Sequence, residues 1–120
     1  MIGYVTLGTN DLARANAFYD PLLAGMGAKR VMESDRYTVW AVGNGPMLMI
    51  TAPFDGSQAS VGNGVMVALA AGSNANVDTL YAKAIALGAK DEGAAGPRGD
   101  SFYAGYFRDP DGNKLCFFHM

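Results

Sequence analysis

The first apolar run, Tyr4-Val5-Thr6-Leu7, is short and stops at Gly8, which predicts a strand. Beyond it Leu12, Ala15, Phe18, Tyr19, Leu22 and Met26 recur at intervals of three and four, the spacing of one helix face. Asn10 stands where a helix N-cap belongs, and Gly25 and Gly27 stand where the helix should end. Pro21 is expected to kink or shorten it, because proline removes a backbone donor and crowds the preceding turn. Three strand-like segments follow, Lys29 to Glu33, Tyr37 to Val42 and Met47 to Thr51. The turn residues Ser34-Asp35 and Gly43-Asn44-Gly45-Pro46 separate them.

The second half repeats this plan. A strand from Val65 to Ala70 leads to Ser73 and Asn74 as capping residues. A helix with Val77, Leu80, Tyr81 and Ala84 on one face follows, closed by Gly88. A short segment around Ala89 to Asp91, a Gly/Pro-rich loop from Gly93 to Gly99, and strands from Phe102 to Arg108 and Asn113 to His119 complete it. Residue matches support duplication: Tyr4-Val-Thr-Leu with Met66-Val-Ala-Leu, Phe18-Tyr19 with Leu80-Tyr81, and Gly27-Ala28-Lys29 with Gly88-Ala89-Lys90. The expectation is an α+β fold: one domain, 1–120, of two paired βαβββ modules, about 1–55 and 62–120, joined by a linker from Asp55 to Val61. Their strands, mostly antiparallel, would line one concave surface with the helices outside.

Composition narrows the chemistry. Half of the 120 residues are apolar, enough for a real core. Only 17% are charged and the net charge is -2, with scattered basic residues, so nothing marks a nucleic-acid or anionic-membrane binder. One His and one Cys exclude a zinc finger or an iron–sulfur cluster. The start lacks a basic stretch followed by an apolar block, and the longest apolar run, Val65 to Ala71, is far below the ~18 residues of a membrane span. A cytoplasmic protein is the expectation.

Three segments together resemble the vicinal oxygen chelate superfamily, which includes glyoxalase I, bleomycin resistance proteins and extradiol dioxygenases. They are Tyr4-Val-Thr-Leu with Asp11-Leu and Phe18-Tyr19, then Gly62-Asn-Gly-Val-Met-Val-Ala-Leu69, then Phe102-Tyr-Ala-Gly-Tyr-Phe-Arg-Asp-Pro-Asp-Gly-Asn-Lys114. The resemblance spans essentially the whole chain. It implies paired βαβββ modules around a cup, frequent dimerisation, and in many members a divalent ion that chelates vicinal substrate oxygens. Aligned on this sequence, the usual ligand positions fall at Tyr4, Met49, Met66 and Cys116. A phenol, two thioethers and a thiol are not the donors a hard oxygen-chelating ion takes. No metal and no other cofactor is therefore expected. Shifting the alignment by two residues brings in no imidazole or carboxylate, and His119 has the opposite strand parity to Cys116.

The residues expected to line such a cup or its mouth are Tyr4, Thr6, Trp40, Met49, Met66, Arg98, Tyr103, Cys116 and Phe118. Methionine and aromatic walls suit flat or apolar molecules and adapt their shape. The same residues would also serve as ordinary core. Arg98 in Gly96-Pro-Arg-Gly99 could clamp a carboxylate or phosphate, and Tyr37 and Tyr106 also lie on predicted strands. Asp109-Pro-Asp-Gly-Asn113 reads as a tight turn and not a calcium loop, and Cys116 as an inert thiol. The favoured function is metal-free binding of a small aromatic or amphipathic molecule by a homodimer. The alternative is a lyase, isomerase or dioxygenase of the superfamily, which without a metal would need a base such as Glu33, Asp35 or Tyr4. A purely structural module with a filled cup is a third reading.

Overall fold

The computed structural model describes residues 1–120, which fall into two compact units, Met1–Val61 and Gly62–Met120. In the first, β1 (Tyr4–Gly8), α1 (Leu12–Ala24), β2 (Lys29–Glu33), β3 (Tyr37–Ala41) and β4 (Met47–Thr51) form a four-stranded sheet of order β1-β4-β3-β2. Strand β1 runs parallel to β4; the other pairs are antiparallel. The second unit has β5 (Val67–Ala70), α2 (Asn74–Ala86), β6 (Lys90–Pro97), β7 (Tyr103–Arg108) and β8 (Lys114–His119), in the equivalent order β5-β8-β7-β6. Again one pair, β5 with β8, is parallel. The fold is thus α+β, with two mixed, open sheets and one helix on each.

Both helices are closed by the same device. Ala28 N–H donates to the Leu23 carbonyl at 3.1 Å and Gly27 N–H to Ala24 at 2.9 Å, while Ala89 donates to Ala84 and Gly88 to Ile85, each at 3.0 Å. This is a Schellman closure, which places its glycine in the left-handed region; φ is 79° at Gly27 and 103° at Gly88. The glycine matches between the halves therefore mark a shared stop signal.

The start of α1 differs from expectation by one residue, and that of α2 agrees with it. Asp11, and not Asn10, caps α1, its carboxylate accepting from Arg14 N–H at 3.0 Å. Asn10 instead clamps Ala59 through two hydrogen bonds, 3.1 Å to its carbonyl and 2.7 Å from its N–H. The expected linker is in this way tied to the first unit. Ser73 caps α2, accepting from Asn76 N–H at 3.1 Å, and Asn74 is its first helical residue. Pro21 neither ends nor shortens α1, which continues to Ala24 with Leu22 and Leu23 buried behind it; the apolar face outweighs the lost backbone bond.

Several strand boundaries also move, those of β5 and β6 by more than one residue. β5 begins at Val67, leaving Val65 and Met66 outside it. The run expected as a Gly/Pro-rich loop is most of β6, which pairs with β7 from Lys90 to Pro97 through two register shifts. Glycines give a strand little side chain to pack but permit such bulges.

One face of each sheet carries the helix. Leu48, Ile50 and Trp40 lie beneath Tyr19 and Leu22 of α1; Phe107, Leu115 and Phe117 meet Val77, Leu80 and Ala84 of α2. All are buried. Tyr81 lies so close to β7 that a Cβ at Gly105 would sit 2.8 Å from its Cδ2, so only glycine fits there.

Candidate functional site

Strand alternation leaves a second, open face on each sheet. In the first unit Thr6 pairs with Met49 and Tyr4 with Met47, while Val39 pairs with both Met49 and Met32. These side chains stand on the side opposite α1. Tyr4, Met32, Tyr37, Val39, Met47 and Met49 line a cavity of about 280 Å³ there. Its walls are three thioethers, two phenols and a valine, with no group charged at neutral pH. Thr6 adds a hydroxyl that donates to Met49 Sδ at 3.7 Å. Thioethers and aromatic rings are polarizable and adapt to flat partners.

Of the expected lining residues, Tyr4, Thr6 and Met49 thus come together on this face. Trp40 does not. It occupies the helix side of β3, buried against Tyr19 with ring centroids 5.6 Å apart, and its Nε1–H donates to Asp20 at 2.9 Å. Its neighbour Val39 faces the cavity because side chains alternate. The Asp20 carboxyl also receives Arg30 Nε at 2.9 Å and Nη2 at 2.5 Å. Chiefly through Arg30, and also through Trp40, its pKa falls below the ordinary aspartate value of 3.8. Trp40 therefore ties α1 to the sheet.

In the second unit Cys116, Phe118, Ala104 and Tyr106 share the open face of β7 and β8. Tyr103, expected in the cup, projects to the other side, where its hydroxyl donates to Asp78 of α2 at 2.7 Å. That bond is the largest cause raising its pKa. His119 lies on the same helix side, as parity required, with Nδ1 2.9 Å from Asn74 Oδ1. Met66 precedes β5 and is partly exposed. Arg98 follows β6 and folds over the Tyr106 ring, 5.4 Å from its centroid. Cys116 is buried, and desolvation pushes its thiol pKa up, the opposite of what a thiolate nucleophile needs.

The metal-ligand positions implied by the resemblance hold these same groups: a phenol at Tyr4, thioethers at Met49 and Met66, and the buried, protonated thiol of Cys116. They do not fit a hard divalent cation, which takes carboxylate, carbonyl or imidazole donors. No three His, Cys, Asp or Glu side chains converge anywhere in the chain. The Asp109 carboxylate is spent on its own turn, accepting from Asp111 and Asn113 N–H, each at 2.9 Å, and from Asn113 Nδ2 at 2.9 Å. Of the three proposed bases only Tyr4, a phenol, lines the cavity. Glu33 faces the helix side, bonded to Arg30, and Asp35 lies in the β2–β3 turn.

Sequence reasoning missed Met32, Val39 and Met47. Met47 and Val39 were within reach of it, since Met47 lies two residues from Met49 and cross-strand partners share a face. Met32 was not: β2 carries an irregularity between Arg30 and Met32 that resets its parity.

This paired βαβββ architecture is the one a superfamily of small-molecule enzymes and resistance proteins uses. The Glyoxalase/Bleomycin resistance protein/Dioxygenase superfamily model matches residues 1–117, and the chain belongs to that superfamily. It is 35% identical to a glyoxalase/bleomycin resistance protein from Albidiferax ferrireducens T118, over 100% of this chain and 98% of that one, with a TM-score of 0.92. A glyoxalase-related enzyme from Fulvimarina pelagi (22% identity, 98% and 86% coverage, TM-score 0.77) shares its fold. So does a lactoylglutathione lyase from Agrobacterium tumefaciens (24%, 98% and 92%, TM-score 0.72). Among curated proteins none matches this chain. No helix is long and apolar enough to cross a membrane.

Proposed function

We propose that this protein binds a small, flat, uncharged or amphipathic molecule on the open face of its first unit, without using a metal ion. The observation that carries this reading is the cavity walled by Tyr4, Met32, Tyr37, Val39, Met47 and Met49. Its volume lies just below the ~300–1,000 Å³ of ordinary ligand sites, which suits a molecule of one or two rings. The two phenols supply hydroxyls that orient a polar substituent. A sequestering or sensing role follows more readily than catalysis, because the walls offer no carboxylate or imidazole to move a proton at neutral pH. An open cavity also weighs against the purely structural reading.

The wider expectations stay with this proposal: a homodimer, as the superfamily resemblance implies, working in the cytoplasm, where a lone buried thiol stays reduced. Light scattering at micromolar concentration checks the first; a monomer contradicts it.

A thermal-shift screen of divalent metals against small neutral aromatics tests the binding reading. A ligand at 100 times its dissociation constant stabilises the native state by about 2.7 kcal/mol, so aromatics should raise the melting temperature and metals should not. Purified protein holding one tightly bound divalent ion per chain would overturn the reading.

A further inference from the structure

We infer that the open face of the second unit is a site for the anionic group of a small aromatic acid, held by Arg98 and Lys114. Two cations lie against the Tyr106 ring: the Arg98 guanidinium carbon 5.4 Å and the Lys114 ammonium 5.7 Å from its centroid. Neither cation is in an ion pair. Arg98 spends one Nη1 and one Nη2 hydrogen on the carbonyls of Pro97, at 3.2 Å, and Ala94, at 2.7 Å. Those bonds fix the plane of the guanidinium and leave Nε–H and a hydrogen on each Nη. A pre-positioned fork of this kind grips a carboxylate or phosphate without first losing side-chain freedom.

The surrounding charge agrees. Lys90, Arg108 and Lys114 are aligned across β6, β7 and β8 on one face. With Arg98 they oppose Glu92, whose carboxylate is already bonded to Arg108 Nε at 2.5 Å. Glu92 is held below its usual pKa first by Arg108 and also by the fields of Lys114 and Lys90. With Arg108 paired to Glu92, Arg98 and Lys114 are the two cations against Tyr106 that form no ion pair of their own. On the same face Phe118 stacks with Phe102, centroids 5.6 Å apart, offering an apolar surface for the body of the acid. The site does not depend on the first unit's cavity, which has no cation in its walls.

The test is a titration of the intact protein, followed by amide shifts at Tyr106, Gly105 and Gly93, with benzoate, phenyl phosphate and benzamide. Both anions should saturate these shifts, more weakly as salt rises, and benzamide should not. Arg98→Gln, at an exposed position, and Lys114→Gln, at a half-buried one, both keep a polar side chain of similar length and should keep the fold and each weaken anion binding about tenfold or more. Whichever anion binds tighter assigns the group as carboxylate or phosphate. Binding of benzamide as well as benzoate, unchanged affinity in both variants, or no saturation by either anion would overturn the inference.

Discussion

The two units repeat one plan and differ in what they show on the side away from the helix. Their helix faces are interchangeable in kind: Ile50 and Leu48 under Leu22 in the first, Phe107 and Phe117 under Leu80 in the second, with the same Schellman closure. Their open faces differ in charge. The first gathers methionines and tyrosines around a neutral cavity; the second gathers arginine and lysine around one tyrosine. Packing constrains the helix face, because a volume change there costs stability directly. The open face escapes that constraint, so the two copies of one plan can carry different side chains there.

That contrast can be broken by mutation. The largest effects should come from the helix faces, and equally from both. Ile50→Ala and Phe117→Ala, each at fully buried positions, should cost about 3–5 kcal/mol in chemical denaturation. A loss below about 1 kcal/mol in either unit would mean the two cores are not equivalent. Gly105→Ala drives a Cβ to within 2.8 Å of the Tyr81 ring and should cost about 1–3 kcal/mol by overpacking; the double variant with Tyr81→Leu should recover part of it.

Asp20→Ala comes next, at about 1–3 kcal/mol, because it leaves the Trp40 N–H without its acceptor and Arg30 with Glu33 alone. It also carries a pH signature. The Asp20 carboxyl has a folded pKa below the unfolded value of 3.8, so its contribution is present above about pH 4 and is lost as pH falls through the folded pKa. The pair is 37% and 40% exposed, so solvent screens much of this. Asp20→Asn should flatten the acid limb of the stability curve below pH 4; an unchanged limb contradicts the assignment. The smallest effect should fall on the open face. Met49→Ala should cost less than about 2 kcal/mol, as a partly exposed side chain, while abolishing binding of a neutral aromatic.

How far all this could be read from the chain depended on whether periodicity or pairing placed the residue. Helix faces and caps were legible because their signals are local: Leu22 and Leu80 keep helical spacing, and Gly27 and Gly88 stop their helices. Parity also put His119 opposite Cys116. It also assigns Trp40 and Tyr103 to the helix side, whereas aromatic character, the ground for expecting them in the cup, carries no information about which face a side chain takes. Parity could not have succeeded for Met32, since the irregularity in β2 turns that side chain to the open face only once β3 is paired with it. β6 was hidden for a similar reason: Gly93 to Gly96 carry little strand propensity, and pairing with β7 makes them a strand.

The first unit's open face is proposed as a site for a neutral ligand. Methionine methyl groups report on it directly: the chain has seven, three of them in the cavity walls. With carbon-13 methyl labelling, titration with indole as a neutral flat probe should shift Met32, Met47 and Met49 together along one saturable curve, leaving Met1, Met26 and Met120 in place. Shifts spread over all seven, or confined to methionines outside the cavity, would contradict it.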